Sequence, residues 1–226
     1  MTIRARLARP WWCLALALFI LPVVAHAQEV ANVGFRAISV HDPVSDGAMP
    51  GFVFYPSVLP RGLTQLGPYD IDAALDAAAM PGARPLVLIS HGHGGSALGH
   101  HDLAVYLASH GFVVATLEHP SDNFHDASGN GRSTVLAGRP VQVRATMAYL
   151  LTDPQWKGMI DTSRVGVAGF SMGGYTSLLL VGAVPRFDRL IGYCKQYPDD
   201  QATCGLLSQP RAGRPDCGEL SGCPAE

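Results

Sequence analysis

Three uninterrupted apolar runs constrain this chain more than any other feature. They are "PLVLIS" (85–90), "FVVATLE" (112–118) and "RVGVAGF" (164–170). A strand with one wet face alternates polar and apolar residues. These runs do not alternate, which predicts strands covered on both faces. Helical patterns separate them. "LGHHDLAVYLASHG" (98–111) closes on Gly111, "PVQVRATMAYLLTD" (140–153) carries Pro140 in its first turn, and "GGYTSLLLVGA" (173–183) follows the third run. Strand and helix in strict alternation predict an α/β fold, a mostly parallel sheet with helices on both faces. With 226 residues, 48% hydrophobic and 15% charged, the chain can bury one domain-sized core.

The flanks read differently. "VGFRAISVHDP" (33–43) and "GFVFYPS" (51–57) predict two early strands. Residues 59–84 read as loop, with a short helix possible at "DIDAALDAAA" (70–79). Beyond Val184 the pattern fades to an irregular, cysteine-containing tail over 185–226, with a short helix near Leu190 and no run that reads as a buried strand.

The N-terminus has the order of an export signal. Arg4, Arg6 and Arg9 precede the apolar "WWCLALALFILPVV" (11–24), and "AHA" (25–27) fits a cleavage site. The apolar run is short for a membrane span. Residues 1–27 are therefore expected to leave as a signal peptide, with 28–226 as the mature domain, secreted or periplasmic and without stable membrane insertion. The net charge of −2 favours neither nucleic acid nor an anionic membrane surface. Cys13 leaves with the signal, so the five cysteines become four: Cys194, Cys204, Cys217 and Cys223. In an oxidising compartment an even count suggests disulfides. Of the three pairings, Cys194–Cys204 with Cys217–Cys223 closes the shortest loops and is the expected one. Free thiols are the alternative.

The third apolar run passes directly into Gly169-Phe170-Ser171-Met172-Gly173, which fits G-x-S-x-G. In that pattern a serine sits on a sharp strand-to-helix turn. Gly169 and Gly173 let the backbones approach, and the backbone N–H of Met172 is placed to hold a developing oxyanion. A second donor must come from the loop after an early central strand. "SHGHGGS" (90–96) occupies that place, and the N–H of His93 is the candidate, with His91 as a brace for the loop.

Taken together, "PLVLISHGHGGS", "YLASHGFVVATLEHP" and "RVGVAGFSMGGYTSL" resemble the α/β-hydrolase superfamily. More narrowly they are similar to bacterial dienelactone-hydrolase-like and platelet-activating-factor-acetylhydrolase-like proteins, over about residues 34–205. The resemblance implies a serine hydrolase of short acyl esters or lactones, without a cofactor or metal. Ser171 would be the nucleophile, with Met172 and His93 as oxyanion donors. It also implies an acid and a histidine after later strands, and there this sequence departs. All nine histidines precede Ser171.

The resemblance therefore predicts an α/β-hydrolase fold lacking its C-terminal strands, poor turnover and an exposed apolar edge that lowers solubility. Asp188, Asp199, Asp200 and Asp216 follow the serine, but none follows a recognisable strand. A substitute base would have to come from upstream. His93 and His119 end strands on the same edge as the serine, and His125 lies on a nearby loop. Two other classes stay open. One is a non-catalytic hydrolase remnant. The other is a metal-dependent hydrolase built on His91, His93, His100, His101 and Asp102, although adjacent helical histidines point apart.

Overall fold

A computed structural model describes residues 31–208. The elements in chain order are β1 (Asn32–His41), β2 (Ala48–Ser57), β3 (Leu63–Leu66), β4 (Tyr69–Asp72), β5 (Ala74–Leu75), β6 (Arg84–Ser90), α1 (His101–Ser109), β7 (Val113–Leu117), α2 (Ser133–Thr152), β8 (Ile160–Gly169), α3 (Met172–Leu180), α4 (Phe187–Gln196) and α5 (Gln201–Ser208). One six-stranded sheet has the order β5-β1-β2-β7-β6-β8. Strand β2 pairs antiparallel with both β1 and β7, and the remaining pairs are parallel. The sheet is therefore mostly parallel, as the three apolar runs predict.

Helices cover both faces because alternate residues of the central strands feed two cores. Leu86 and Leu88 of β6 join Val143 and Leu150 of α2, together with Trp156, on one side. Ile89 of β6 and Val114 of β7 join Ala104, Val105 and Ala108 of α1, with Phe35 and Phe54, on the other. Chain order reverses around β6, since β7 lies on one flank and β8 on the other. Loops leaving the carboxyl ends at such a reversal diverge and leave a crevice.

Four local readings need correction. The segment 70–79 is not helical. It supplies β4 and β5, and β4 pairs with β3 across a Gly67-Pro68 turn whose Gly67 has φ 59°. Ile71 and Ala73 are buried there, and packing overrides the alanine-rich helix propensity. Helix α2 begins at Ser133, so Pro140 lies inside it rather than in its first turn. The tail is not irregular throughout: the short helix expected near Leu190 is α4, a second helix α5 follows it, and the expected Cys194–Cys204 disulfide joins the two. The third apolar run is a strand, but not a covered one: in β8 only Ile160 is buried, and residues 162–166 are exposed. Cys217, Cys223 and the expected signal peptide fall outside the described residues. Among those described, no helix is long and apolar enough to cross a membrane.

Candidate active site

Ser171 stands between β8 and α3 with φ 52° and ψ −115°, one of four non-glycine residues at positive φ among the described residues. L-residues avoid this region, so the turn is strained, and strain of this kind recurs where a side chain must be presented rather than packed. The packing that enforces it is visible in the flanking glycines. A Cβ on Gly169 would overlap the Gly173 carbonyl, and one on Gly173 would overlap the Ser90 carbonyl. The start of α3 is thus pressed against the ends of β8 and β6. Ser171 is the N-cap of α3, yet its hydroxyl makes no capping bond. The first helical bond runs instead from Tyr175 N–H to the Ser171 carbonyl at 3.1 Å. The side chain is exposed at the positive end of a helix.

The loop after β6 lies directly alongside. A methyl group on Gly92 would stand 3.3 Å from Phe170 Cδ1 and 3.5 Å from Ser171 Cβ. Ser171 and the "SHGHGG" loop are therefore neighbours, as the parallel strand ends require. Met172, the first residue of α3, is partly buried beside the serine.

Each histidine has a distinct environment. His91 is buried. Its Nε2 accepts the His119 N–H at 3.1 Å and its Nδ1 donates to the Gly92 carbonyl at 2.6 Å. Burial pulls its pKa down to about 4, so the ring is neutral and braces the loop. His119 is bonded to other partners than Ser171. It is fully buried, with Nε2 bonded to Ser90 Oγ at 2.8 Å and Nδ1 to Gln142 Oε1 at 2.7 Å. Gln142 in turn donates to Asp42 at 3.1 Å. Burial holds the His119 pKa well below the ordinary value. With both ring nitrogens engaged elsewhere, His119 is not a free base for the serine. The His125 ring is exposed and rests on Phe124 at a centroid distance of 3.6 Å.

The clustered histidines do not converge as a metal site. His100 packs against Phe170, and His101 packs on Tyr69 with its Nδ1 toward the Leu98 carbonyl. Among the described residues no group of three or more His, Cys, Asp or Glu is arranged to hold a metal. Asp188 pairs with Arg186 and Asp200 accepts from Tyr193 Oη, both on the α4–α5 segment.

Sequence reasoning did not single out two residues at this site. Asp122 follows β7, and its Oδ1 accepts a hydrogen bond from His93 Nδ1. Arg139 of α2 reaches under the loop, where its Nη2 donates to the His91 carbonyl and its Nη1 lies 3.2 Å from Asp122 Oδ2. Both side chains are 1% exposed, whereas that of His93 is 40% exposed. Burial lowers the Arg139 pKa to about 10, with Asp122 opposing the shift, so the guanidinium stays charged at neutral pH. A signal existed in the sequence. Asp122 follows an apolar strand on the serine's edge, and Arg139 sits on the buried side of α2 with Gln142 and Thr146.

The sheet order, the two-faced packing and the strained serine turn beside the β6 loop define an α/β-hydrolase. The PET hydrolase-like (PETase) family model matches residues 76–195, which span both motifs, and the chain belongs to that family. It is 29% identical over 143 residues to platelet-activating factor acetylhydrolase from Cavia porcellus, a match covering 46% of this chain and 33% of that protein. Among solved structures it is similar to the ferulic acid esterase from Streptomyces cinnamoneus, with a TM-score of 0.57 and 24% identity over 70% of this chain and 57% of that one. The chain thus spans a third of the curated relative and little more than half of the solved one.

Proposed function

We propose that this protein is an exported serine hydrolase of carboxylic esters or lactones, acting through an acyl-enzyme on Ser171. The observation that carries the reading is Ser171 itself: a strained, exposed serine whose hydroxyl is not spent on capping α3, packed beside the β6 loop. In the reaction Oγ bonds to the carbonyl carbon, and the carbonyl π pair moves to oxygen. The backbone N–H groups of Met172 and His93 stabilise that oxygen. The intermediate then expels the alcohol, and water releases the acid. Membership of the PET hydrolase-like family and likeness to an acetylhydrolase both support ester chemistry. The Cys194–Cys204 bond supports an oxidising compartment.

The hydroxyl proton needs an acceptor. Every histidine in the 226 residues precedes Ser171, and His119 is engaged with Ser90 and Gln142. The chain tested as it stands is therefore expected to turn over simple esters slowly, with the oxyanion donors retaining only part of the rate. A fluorophosphonate probe, with p-nitrophenyl acetate alongside, tests the reading. The expected result is labelling at Ser171 and weak turnover, both abolished by Ser171→Ala. Labelling that survives Ser171→Ala would sink the assignment. No labelling at all would favour a non-catalytic remnant.

A further inference from the structure

We propose that the buried Asp122–Arg139 pair positions the oxyanion loop, with His93 as the tether between that pair and the backbone N–H that faces the reacting carbonyl. The proposal rests on the reading of Ser171 as nucleophile and names the residues that align its second oxyanion donor.

The loop is held at two places. Arg139 Nη2 binds the His91 carbonyl. Asp122 Oδ1 takes the His93 Nδ1 hydrogen and lies 3.4 Å from the Gly94 nitrogen. The His93 N–H therefore lies between two anchored points, one on each side in the chain. Neither anchor belongs to the sheet ladder, which ends at Ser90. The turn between them is closed at the Gly92 carbonyl, which accepts from Gly95 N–H at 3.1 Å and from His91 Nδ1 at 2.6 Å, and the two anchors fix how that closed turn is seated beside Ser171. The anchors themselves are rigid, because α2 and the end of β7 are packed in the cores.

The pair is a poor device for stability. Arg139 Nη1 and Asp122 Oδ2 are near each other but not aligned as a hydrogen bond. Both atoms, and Arg139 Nε, lack a hydrogen-bond partner among the described residues. A buried ion pair with unsatisfied polar atoms stabilises less than apolar side chains of the same volume. What the pair supplies is orientation. A carboxylate can only accept, so the His93 hydrogen is fixed on Nδ1 and the ring plane is set by Asp122. An oxyanion donor works only if it already points at the place where charge develops, so a loop that must reorganise forfeits the benefit.

The full chain tests this with Asp122→Asn, His93→Ala and His93→Asn, read by three measurements. The first is the rate of fluorophosphonate labelling at Ser171. The second is the far-downfield imidazole proton that a hydrogen bond between Nδ1 and Asp122 gives by NMR. The third is the thermal midpoint. Asp122→Asn and His93→Ala are each expected to slow labelling by about 10- to 100-fold, the scale set by small misplacements of a catalytic group. Both should remove the downfield resonance. His93→Asn, whose side-chain amide donates from nearly the position of Nδ1, is expected to recover part of the rate. His93→Ala leaves the ion pair in place and alters a half-exposed side chain, so slower labelling at an unchanged midpoint reports positioning and not unfolding. Wild-type labelling rates in His93→Ala would overturn the proposal while leaving Ser171 as the nucleophile. An unaltered chain that never labels overturns the nucleophile reading, and the proposal falls with it.

Discussion

Strands β6 and β8 lie side by side, run parallel and each deliver half of the candidate site, yet they are built in opposite ways. Strand β6 is gripped from both faces, and its loop is pinned by an ion pair, two neutral histidines and Gln142. Strand β8 carries Ser171 at the end of a strand exposed along most of its length, followed by a helix that shows Leu178 to solvent and a turn that shows Val181 and Val184. Both have the same apolar signature in sequence. The difference teaches that an apolar run specifies a strand, whereas its burial is set by its neighbours. The half proposed to hold an oxyanion sits in the stiff part of the molecule. The half that presents the serine depends on local backbone packing.

The contrast breaks most directly by truncating one residue in each strand. Leu88→Ala in β6 opens a cavity between covered faces and is expected to cost about 3 kcal/mol. Val165→Ala in β8, 39% exposed, is expected to cost well under about 1 kcal/mol. Urea unfolding of the two variants checks both, and equal losses would mean that β8 is covered in solution.

Acid sharpens the same contrast, with an effect of similar or slightly smaller size. His91 is neutral in the fold with a pKa near 4 and ionises near 6.5 when unfolded. Its folded pKa is the lower one, so its contribution is complete above about 6.5 and is lost as pH falls toward 4. The shift corresponds to about 3 kcal/mol at most, and His119 shifts in the same direction. The thermal midpoint should fall across that window. His91→Gln should flatten the slope, and an unchanged slope would show that the buried histidines do not set it.

Much of this was readable beforehand, and the misses have physical causes. The three apolar runs located β6, β7 and β8 because length and lack of alternation leave few other options. G-x-S-x-G located Ser171 because close backbone approach demands its glycines. Segment 70–79 misled because alanine favours a helix locally while buried Ile71 and Ala73 favour the sheet. Pro140 misled because proline usually opens helices, yet the turn at Asn130-Gly131 starts α2 earlier. Asp122 and Arg139 stayed hidden because 17 positions separate them and no local pattern records that they meet under a third segment.

The smallest expected effect concerns the turn between α3 and α4. Replacing Val181 and Val184 with lysine is expected to raise solubility while moving stability by less than about 0.5 kcal/mol, since both are largely exposed. Light scattering and urea unfolding separate the two quantities. A large stability loss would show that these side chains are packed in solution.

The contact between Gly173 and the Ser90 carbonyl has a mechanical consequence. Where two parts meet backbone to backbone, with no side chain between them to act as a shim, there is almost no play. The serine turn and the loop after β6 then move as one piece, and heat cannot loosen their alignment gradually. Inactivation should track unfolding of β6 with no earlier, softer phase.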